Sequence, residues 1–355
     1  KKKKKEKKIL YQLIFSAFLL FSNAYLVKAN SDILSQDSTG KYCINTEQDY
    51  YNFIENIQNY NNKTVILCND IDISDVPEAT SSFGGILNGK GHTITYASKE
   101  AKENIAVFPF RINDNGIVEN INVQIDESYA YNSETDEFQT VFSQCDGIAK
   151  GITIKGNVTC IYDDEDEDVS IGAIEGNGTL MDSSIAITYD LQSEKTIEEI
   201  AEDIVENDLE FEFCQLGTTY TGITYQNCIG YGQYSEAIKS LADELEPKIE
   251  DNTWGNLCVS FTRKSFYSTS ASATNCYYDK ENMPDIKIRS EYIANRDNNK
   301  EFPNYADFGK TTSEMKNQGT YEGFDFNKKW TISPEDNNGY PYYNLQTEEI
   351  TLKVQ

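Results

Sequence analysis

The only histidine of this chain, His92, is the first residue to consider for chemistry, because an imidazole changes its protonation near neutral pH. A single histidine excludes the Ser-His-Asp, Cys-His, HExxH and multi-histidine zinc chemistries in their usual forms. His92 could act as a base, but no acid lies close to it in sequence. It follows a turn and precedes a strand, which favours a structural role.

Acidic residues offer two further groupings. The run Asp163 to Asp168 contains only carboxylates that could bind Ca²⁺, but it lacks the spacing and the turn glycine of an EF-hand. We interpret it as a solvated loop. Arg111 with Asp114 and Asp126 is the best grouping for a glycan-cleaving enzyme, although no spacing places the three on one face. The sequence therefore predicts no catalytic residue and no cofactor, and it leaves a metal site open.

Tyrosine pairs and Asn-X-Thr sequons are candidate sites of sugar contact or sugar attachment. The pairs could stack on sugar rings, but tyrosine also packs well at the end of a coil with its hydroxyl in water, which we favour. The sequons would be glycan acceptors if the source glycosylates its proteins. The pairs are Tyr50-Tyr51, Tyr277-Tyr278 and Tyr342-Tyr343, and the sequons begin at Asn62, Asn157 and Asn177.

The eight cysteines predict disulfides if the chain is secreted. No pair has CxxC spacing, which disfavours a zinc knuckle or a thioredoxin-like site. Cysteines adjacent in sequence tend to lie in the same or the next coil of a repeat protein, so we predict sequential pairing. The predicted pairs are Cys43–Cys68, Cys145–Cys160, Cys214–Cys228 and Cys258–Cys276; buried free thiols are the alternative.

Composition excludes several classes of protein. The 355 residues carry a net charge of −27, so the surface repels phosphate backbones and nucleic acid is not an expected partner. The chain is 39% apolar, with 24 Tyr, 17 Phe and 2 Trp. That content suffices for a real core and argues against wholesale disorder.

The segment 1–29 has the order of a secretory signal peptide. A lysine-rich head precedes the apolar run Ile9 to Phe21, and small residues follow. The run is shorter than the roughly 20 residues that a membrane-spanning helix needs, so no transmembrane segment is predicted. The expected location is therefore outside the cell or on its surface.

A repeated unit dominates the rest of the chain. A turn residue and a glycine precede alternating apolar positions at Asn115-Gly116, Asp146-Gly147 and Asn177-Gly178, and more weakly at Leu216-Gly217. The glycine spacings are 31, 31 and 39 residues (147 − 116, 178 − 147 and 217 − 178). We expect each glycine to supply a positive φ at a corner and the copies to stack into one core.

The fold class predicted from this repeat is all-β, a right-handed parallel β-helix with short helical excursions; a β-sandwich is the alternative. Each copy follows a short apolar strand, near Phe108, Phe142, Ile171 and Phe211. Val123, Ile154 and Ile187 are expected to stack in register as inward residues. Helices are predicted after Thr46 and from Thr196 and Ser235, where capping residues precede apolar positions at helical spacing.

Several motifs, in order, resemble the secreted bacterial GLUG-motif proteins. They are Asn69-Asp70-Ile71-Asp72-Ile73, Phe83 to Ile94, Gly172 to Thr179, Asn275-Cys276-Tyr277-Tyr278-Asp279-Lys280, and the terminal group of Lys310 to Met315, Phe324 to Phe326, Trp330 to Ile332 and Tyr340 to Tyr342. The resemblance spans about Asn69 to Tyr342. It implies a right-handed parallel β-helix on a cell surface, and it implies no particular chemistry.

The domain organisation that follows has five parts. They are a signal peptide at 1–29, an N-terminal helical cap at 30–62, a parallel β-helix at 63–300 with helical insertions near 194–208 and 235–247, a C-terminal capping segment at 301–345 and a tail at 346–355. Phe324, Phe326, Trp330 and Tyr340 are expected to cover the open end of the solenoid. The function expected is a secreted or surface-displayed, adhesin-like interaction or structural module without catalysis, with an extracellular glycan or protein surface as partner; a polysaccharide lyase or hydrolase on the same scaffold is the alternative.

Overall fold

The structure is a computed structural model that describes residues 34–74, 76–77, 79, 81–97, 106–130, 138–162, 169–207, 209–216, 222–248, 256–260, 272–283, 286–289 and 308–344. These residues form an all-β, solenoid-like fold with a few helices. The signal peptide, the acid run Asp163 to Asp168 and the tail predicted from the sequence lie outside the described residues.

Strands are the commonest regular element of the described chain, and most of them are short. In chain order they are β1 (Tyr42–Ile44), β2 (Thr64–Leu67), β3 (Ile71–Ile73), β4 (Ile86–Asn88), β5 (Thr93–Ala97), β6 (Phe108–Ile112), β7 (Ile117–Ala130), β8 (Phe138–Cys145), β9 (Ile148–Ile161), β10 (Val169–Ile174), β11 (Thr179–Met181), β12 (Ser184–Gln192), β13 (Glu210–Cys214), β14 (Thr224–Gln226), β15 (Ile229–Gly230), β16 (Gln233–Tyr234), β17 (Asn256–Ser260), β18 (Ser272–Thr274), β19 (Tyr277–Asp279), β20 (Ile286–Arg289), β21 (Gly309–Lys310), β22 (Trp330–Thr331) and β23 (Tyr342–Tyr343).

Two sheets enclose one hydrophobic core. The first follows the order β1-β2-β4-β7-β9-β12-β15-β19-β21 with further short strands beside this path, and the second follows β20-β17-β13-β10-β8-β6. Neighbouring copies pair in parallel, and the antiparallel pair β17–β20 closes the second sheet. Parallel pairing between copies excludes the β-sandwich alternative, whose sheets are antiparallel. The apolar strands that precede each copy form the second sheet.

The spacing predicted for the first copies is confirmed. Ile117 pairs with Ile148, and Ile148 pairs with Thr179, so both steps span 31 residues (148 − 117 and 179 − 148). The fourth copy was predicted wrongly. Thr179 pairs with Thr224, a step of 45 residues (224 − 179), because the chain first passes through the helix Ile197–Glu206, which the earlier copies lack. The weak glycine motif at Gly217 therefore does not start this copy.

The predicted column of inward residues is right for two of its three members. Val123 lies opposite Ile154, and Ile154 lies opposite Ile185 rather than Ile187. Ile185 is seven residues beyond its glycine, like Val123 and Ile154, whereas Ile187 is nine beyond (185 − 178 and 187 − 178). Ile187 is still buried, because residues two apart share a face of a strand.

The repeat glycines serve close contact between coils, and the prediction of positive φ at these positions was wrong. A Cβ atom on Gly147 would lie 2.3 Å from the Gly116 carbonyl oxygen, and one on Gly178 would lie 2.2 Å from that of Gly147. The left-handed corner falls four residues later in each copy, where Asn and Asp tolerate it. Its members are Asn120, Gly151, Asp182, Asn227 and Asn275.

Three of the four described helices begin at the capping residues that the sequence indicated, and the short fourth helix was not predicted. The helices are α1 (Glu47–Glu55), α2 (Ile197–Glu206), α3 (Glu236–Leu245) and the short α4 (Thr312–Met315), and single 3₁₀ turns lie at Ile57–Tyr60, Gln318–Thr320 and Asn337–Gly339. Thr46 caps α1 and Ser235 caps α3. Thr196 and Glu199 form the predicted capping box of α2. The region predicted as a purely helical cap also contains β1, which pairs with β2, so the first sheet begins before residue 63.

The C-terminal segment, residues 308–344, lies along the side of the first sheet. β21 adds to β19, and the chain then packs Phe324, Trp330 and Tyr340 into a second cluster with Ile229 and Tyr277. Tyr343 lies over Gly151 of β9, where a Cβ atom would be 2.7 Å from its ring. The aromatic residues expected to close the end of the solenoid thus cover outward positions of several coils.

Candidate functional site

His92 does have an acidic partner, which lies in the preceding coil and is distant in sequence. The Nδ1 atom of His92 lies 3.0 Å from Asp70 Oδ1, and the Thr93 amide donates to the same oxygen at 2.8 Å. That amide hydrogen bond is the main cause that lowers the pKa of Asp70. Because Ile71 pairs with Ile94 beside them, both contacts join neighbouring coils. His92 therefore ties two coils together at an edge.

Arg111 does not join Asp114 or Asp126. Its Nε atom donates to Asp146 Oδ2 at 2.5 Å, and the Asn177 amide donates to Asp146 Oδ1 at 3.1 Å. Asp114 is exposed at a turn before β7, and Asp126 is exposed on β7 itself. Sequence spacing missed this grouping because Arg111 and Asp146 come from successive coils.

Glu175 completes what we call the corner cluster, which consists of Arg111, Asp146, Glu175 and Asn177. Burial raises the pKa of Glu175, and the charge of Asp146 raises it further. Asp146 is nearly covered, with 5% of its side chain exposed. A carboxyl with a raised pKa beside a second carboxyl is a pattern that acid–base enzymes use, so this cluster is the place to test for catalysis.

The tyrosine pairs serve packing, as the sequence favoured. Tyr50 is fully buried and its hydroxyl donates to the Val107 carbonyl at 2.6 Å. Tyr51 donates to Glu47 at 2.6 Å on its own helix. Tyr277, Tyr278 and Tyr343 are buried in the two clusters. No paired aromatic platform is therefore open to a sugar ring among these described pairs.

The Cys43–Cys68 disulfide is confirmed, with Cα atoms 5.9 Å apart. The other sequential pairs were predicted wrongly. Cys145, Cys228 and Cys276 are buried free thiols, which excludes Cys145–Cys160, Cys214–Cys228 and Cys258–Cys276 in this structure. The side chain of Cys258 lies outside the described residues. One coil spans 22 to 48 residues, and the wrongly paired cysteines are only 15, 14 and 18 residues apart (160 − 145, 228 − 214 and 276 − 258), which is less than one complete coil.

Cys145 should be almost inert in the folded protein. Burial is the main cause that raises the pKa of its thiol from 9.0 to about 12, and the neighbouring Asp146 charge adds to it. At pH 8 the thiolate fraction should fall roughly a thousandfold, so alkylation by iodoacetamide should slow at least as much. Mass spectrometry of the Cys145 peptide after native and denaturing labelling measures this. Equal labelling rates in the two conditions would contradict the burial of this thiol.

All three sequon asparagines, Asn62, Asn157 and Asn177, are exposed. Asn62 has a positive φ at a turn, and Asn157 points outward from β9. Asn177 contacts Asp146 of the corner cluster. Their exposure leaves each side chain accessible to glycosylation.

The outward side of the long strands forms an ordered polar surface. Asp126 lies opposite Asn157, Asn157 opposite Thr188, and Thr188 opposite Gln233, so one row crosses four strands. Thr159 lies opposite Asp190 in the next row. We call this surface the outer face; its members are Asp126, Asn157, Thr159, Thr188, Asp190 and Gln233.

The terminal segment borders the outer face on one side. Lys155, one row from Asn157, donates through Nζ to Asn337 Oδ1 at 2.6 Å, and burial lowers the pKa of this lysine. Tyr231 also contacts Asn337, and its ring stacks on that of Tyr340 with centroids 4.5 Å apart. The outer face is thus a row of polar side chains beside the packed rings of Tyr231 and Tyr340.

The outer face was not predicted from the sequence, although the polar alternation that marks it is present there. In β9 the polar residues Thr153, Lys155, Asn157 and Thr159 alternate with inward residues. Without the pairing register, such alternation identifies an outward side but does not place it against another strand.

Comparison of the chain with protein-family models, with curated proteins and with solved structures finds no match. Among the described residues, no group of three or more His, Cys, Asp or Glu side chains is arranged to hold a metal ion. Within the same residues, no helix is long and apolar enough to cross a membrane.

Proposed function

We propose that this chain is a secreted or surface-displayed right-handed parallel β-helix that works as an adhesin-like interaction module without catalysis. Three observations support the proposal. Parallel copies share one core, the Cys43–Cys68 disulfide suits an oxidising compartment, and the ordered motifs resemble those of the GLUG-motif cell-surface proteins. The predicted signal peptide at residues 1–29 adds support from its sequence.

The row formed by Asp126, Asn157, Thr188 and Gln233 is the observation that carries the binding role. Neighbouring strands lie about 4.8 Å apart, so the row presents amide, hydroxyl and carboxylate groups at a regular interval on rigid strands. Such groups donate to and accept from the hydroxyls of a sugar chain. A glycan therefore fits this surface better than an apolar protein patch does.

Substitution at the centre of the outer face tests the binding role. The secreted protein is applied to arrays of extracellular glycans and of extracellular matrix proteins. We expect saturable glycan binding that Asn157→Arg or Thr188→Arg weakens at least about tenfold, because a long side chain there lifts the ligand off the row.

Asn59→Arg is the matched control, since Asn59 is exposed on a 3₁₀ turn away from the outer face. It should change affinity by less than about twofold. Binding only to proteins, or equal losses in all three variants, would contradict a glycan-binding outer face. A native glycan found on Asn157 would also contradict it, because that glycan would cover the centre of the row.

The corner cluster supports the alternative, a glycan-active enzyme. Glu175, with its raised pKa, could protonate a leaving oxygen next to Asp146, which accepts a hydrogen bond from Arg111. However, both Asp146 oxygens already accept hydrogen bonds from the protein, which favours a structural role for that carboxylate. Incubation with polysaccharides followed by product analysis decides between them: fragments that disappear in Glu175→Gln would establish the enzyme.

A further inference from the structure

Cys228 and Cys276 occupy the same position in two successive coils. Gln226 of β14 lies opposite Thr274 of β18, and Ile229 of β15 lies opposite Tyr277 of β19. Both steps span 48 residues (274 − 226 and 277 − 229), as does the step from Cys228 to Cys276. The Asn227 amide donates to the Thr274 carbonyl at 3.0 Å, and the Tyr277 amide donates to the Cys228 carbonyl at 2.9 Å. Backbone hydrogen bonds therefore hold the two cysteines side by side.

Their side chains point into the core and meet there. Both residues are fully buried, and each thiol lies close enough to the other to shift its pKa. The Cys228 Sγ atom lies 3.5 Å from the Leu180 and Gln226 carbonyl oxygens, and the Cys276 Sγ atom lies 3.5 Å from that of Thr274. Each follows an asparagine with a positive φ, Asn227 or Asn275, so both leave the corner in the same direction. The Asn275 amide group also donates to Asn227 Oδ1 at 3.3 Å, which fixes the two corners relative to each other.

We propose that Cys228 and Cys276 form a disulfide that locks the coil between β15 and β19 in the exported protein. Strands that pair in a sheet lie about 4.8 Å apart, which falls within the roughly 4.4–6.8 Å between Cα atoms that disulfides require. The Cys43–Cys68 bridge joins neighbouring strands of the same sheet in a comparable way, since the Cys68 amide donates to the Ile44 carbonyl at 2.9 Å.

The oxidation requires a disulfide-bearing oxidant, such as glutathione disulfide or a protein disulfide of the export compartment. The thiolate of one cysteine attacks a sulfur of the oxidant, forms a mixed disulfide and releases one thiolate. The thiolate of the other cysteine attacks the protein sulfur of the mixed disulfide and releases the second. Two protein thiols are oxidised, the oxidant is reduced to two thiols, and the two protons are taken up by the released thiolates.

The bridge would close a coil that is longer than those of the first copies. The intervening chain includes α3 (Glu236–Leu245), and it is longer than the coils of the first copies. Closing a longer loop removes more freedom from the unfolded chain, so a bridge here stabilises more than one within a short coil. The thiols are buried once the coil has closed, so oxidation accompanies folding.

Peptide mapping of the full chain after export to an oxidising compartment tests the bridge. The protein is denatured in iodoacetamide without reductant and digested, and the cysteine peptides are identified by mass spectrometry. We expect a Cys43–Cys68 linked peptide and a Cys228–Cys276 linked peptide, with Cys145 alkylated. In thermal unfolding, Cys228→Ala and Cys276→Ala should each lower Tm by roughly 5 °C or more, and the double variant should lower it no further.

This inference rests on the proposed export. The state of the Cys43–Cys68 peptide distinguishes a failure of the proposed bridge from a failure of the proposed export. If that peptide is linked while Cys228 and Cys276 are alkylated, or if either is linked to another cysteine, the inference is wrong. If Cys43 and Cys68 are also alkylated, the exported location fails. In that case the reduced chain is refolded with glutathione disulfide, and the Cys228 and Cys276 peptides are mapped again. Linked peptides would support the bridge, and alkylated peptides would contradict it.

Discussion

Asp279→Ala is expected to release the C-terminal segment from the first sheet. The Asp279 side chain is fully buried and accepts hydrogen bonds from Tyr340 Oη at 2.5 Å, Thr312 Oγ1 at 2.8 Å and Asn282 Nδ2 at 3.0 Å. Backbone amides of Glu281 and Asn282 also donate to it. Burial, and then the bond to Asp279, raise the pKa of Tyr340, so the phenol remains a donor.

Removal of this carboxylate leaves several buried donors without their acceptor, which should cost about 3 kcal/mol of unfolding free energy. Limited proteolysis should then cut within residues 308–344 much faster than in the unmodified chain. Glu281→Ala is the matched control, because Glu281 is exposed and accepts one hydrogen bond from the Thr312 amide at 2.8 Å. Proteolysis at the same rate in Asp279→Ala and Glu281→Ala would contradict the role of Asp279.

Gly147→Ala and Gly147→Asn are both expected to destabilise the fold severely. A Cβ atom at this position would lie 2.3 Å from the Gly116 carbonyl oxygen and 2.4 Å from that of Asn113. Both contacts are with backbone atoms of the preceding coil, so relief requires the coils to separate. We expect each variant to lose about 3 kcal/mol or more of unfolding free energy, measured by chemical denaturation.

The asparagine variant separates the two explanations for the repeat glycine. Asn tolerates a positive φ far better than Ala, so a corner that needed only that conformation would accept Asn. Gly319→Ala is the control, because Gly319 is exposed and the nearest atom to its added Cβ would be 3.3 Å away. Near-normal stability of Gly147→Asn would show that the conformation, and not the close contact, requires glycine.

The parts of the fold that local sequence determines could be predicted. Thr46, Thr196 and Ser235 start helices because their side chains cap the first turn, and this depends on residues only three positions away. The equal steps between the first three repeat glycines could also be read, because these coils carry no insertion. The start of the fourth copy could not be predicted in this way, since helix α2 lengthens that coil.

The candidate sites depend on contacts between coils, and those could not be predicted without the register. Arg111 reaches Asp146, His92 reaches Asp70, and Cys228 meets Cys276 because each pair lies in successive coils. Each partner is 22 to 48 residues away, so the length of the coil decides which side chains meet. A single misplaced copy therefore changes every predicted pair after it.

The spacing of two spin labels along the outer-face row tests most directly the claim that successive copies stack in parallel and in register. Nitroxides are attached to Asn157→Cys and Gln233→Cys, or to Asp126→Cys and Gln233→Cys, all of which replace exposed residues. The first pair lies two strand spacings apart, about 10 Å between Cα atoms, and the second lies three apart, about 14 Å. We predict strong dipolar broadening of the electron paramagnetic resonance spectrum for the first pair and weaker broadening for the second. Absent broadening in the first pair, or stronger broadening in the second, would contradict the stacked row and with it the proposed binding surface.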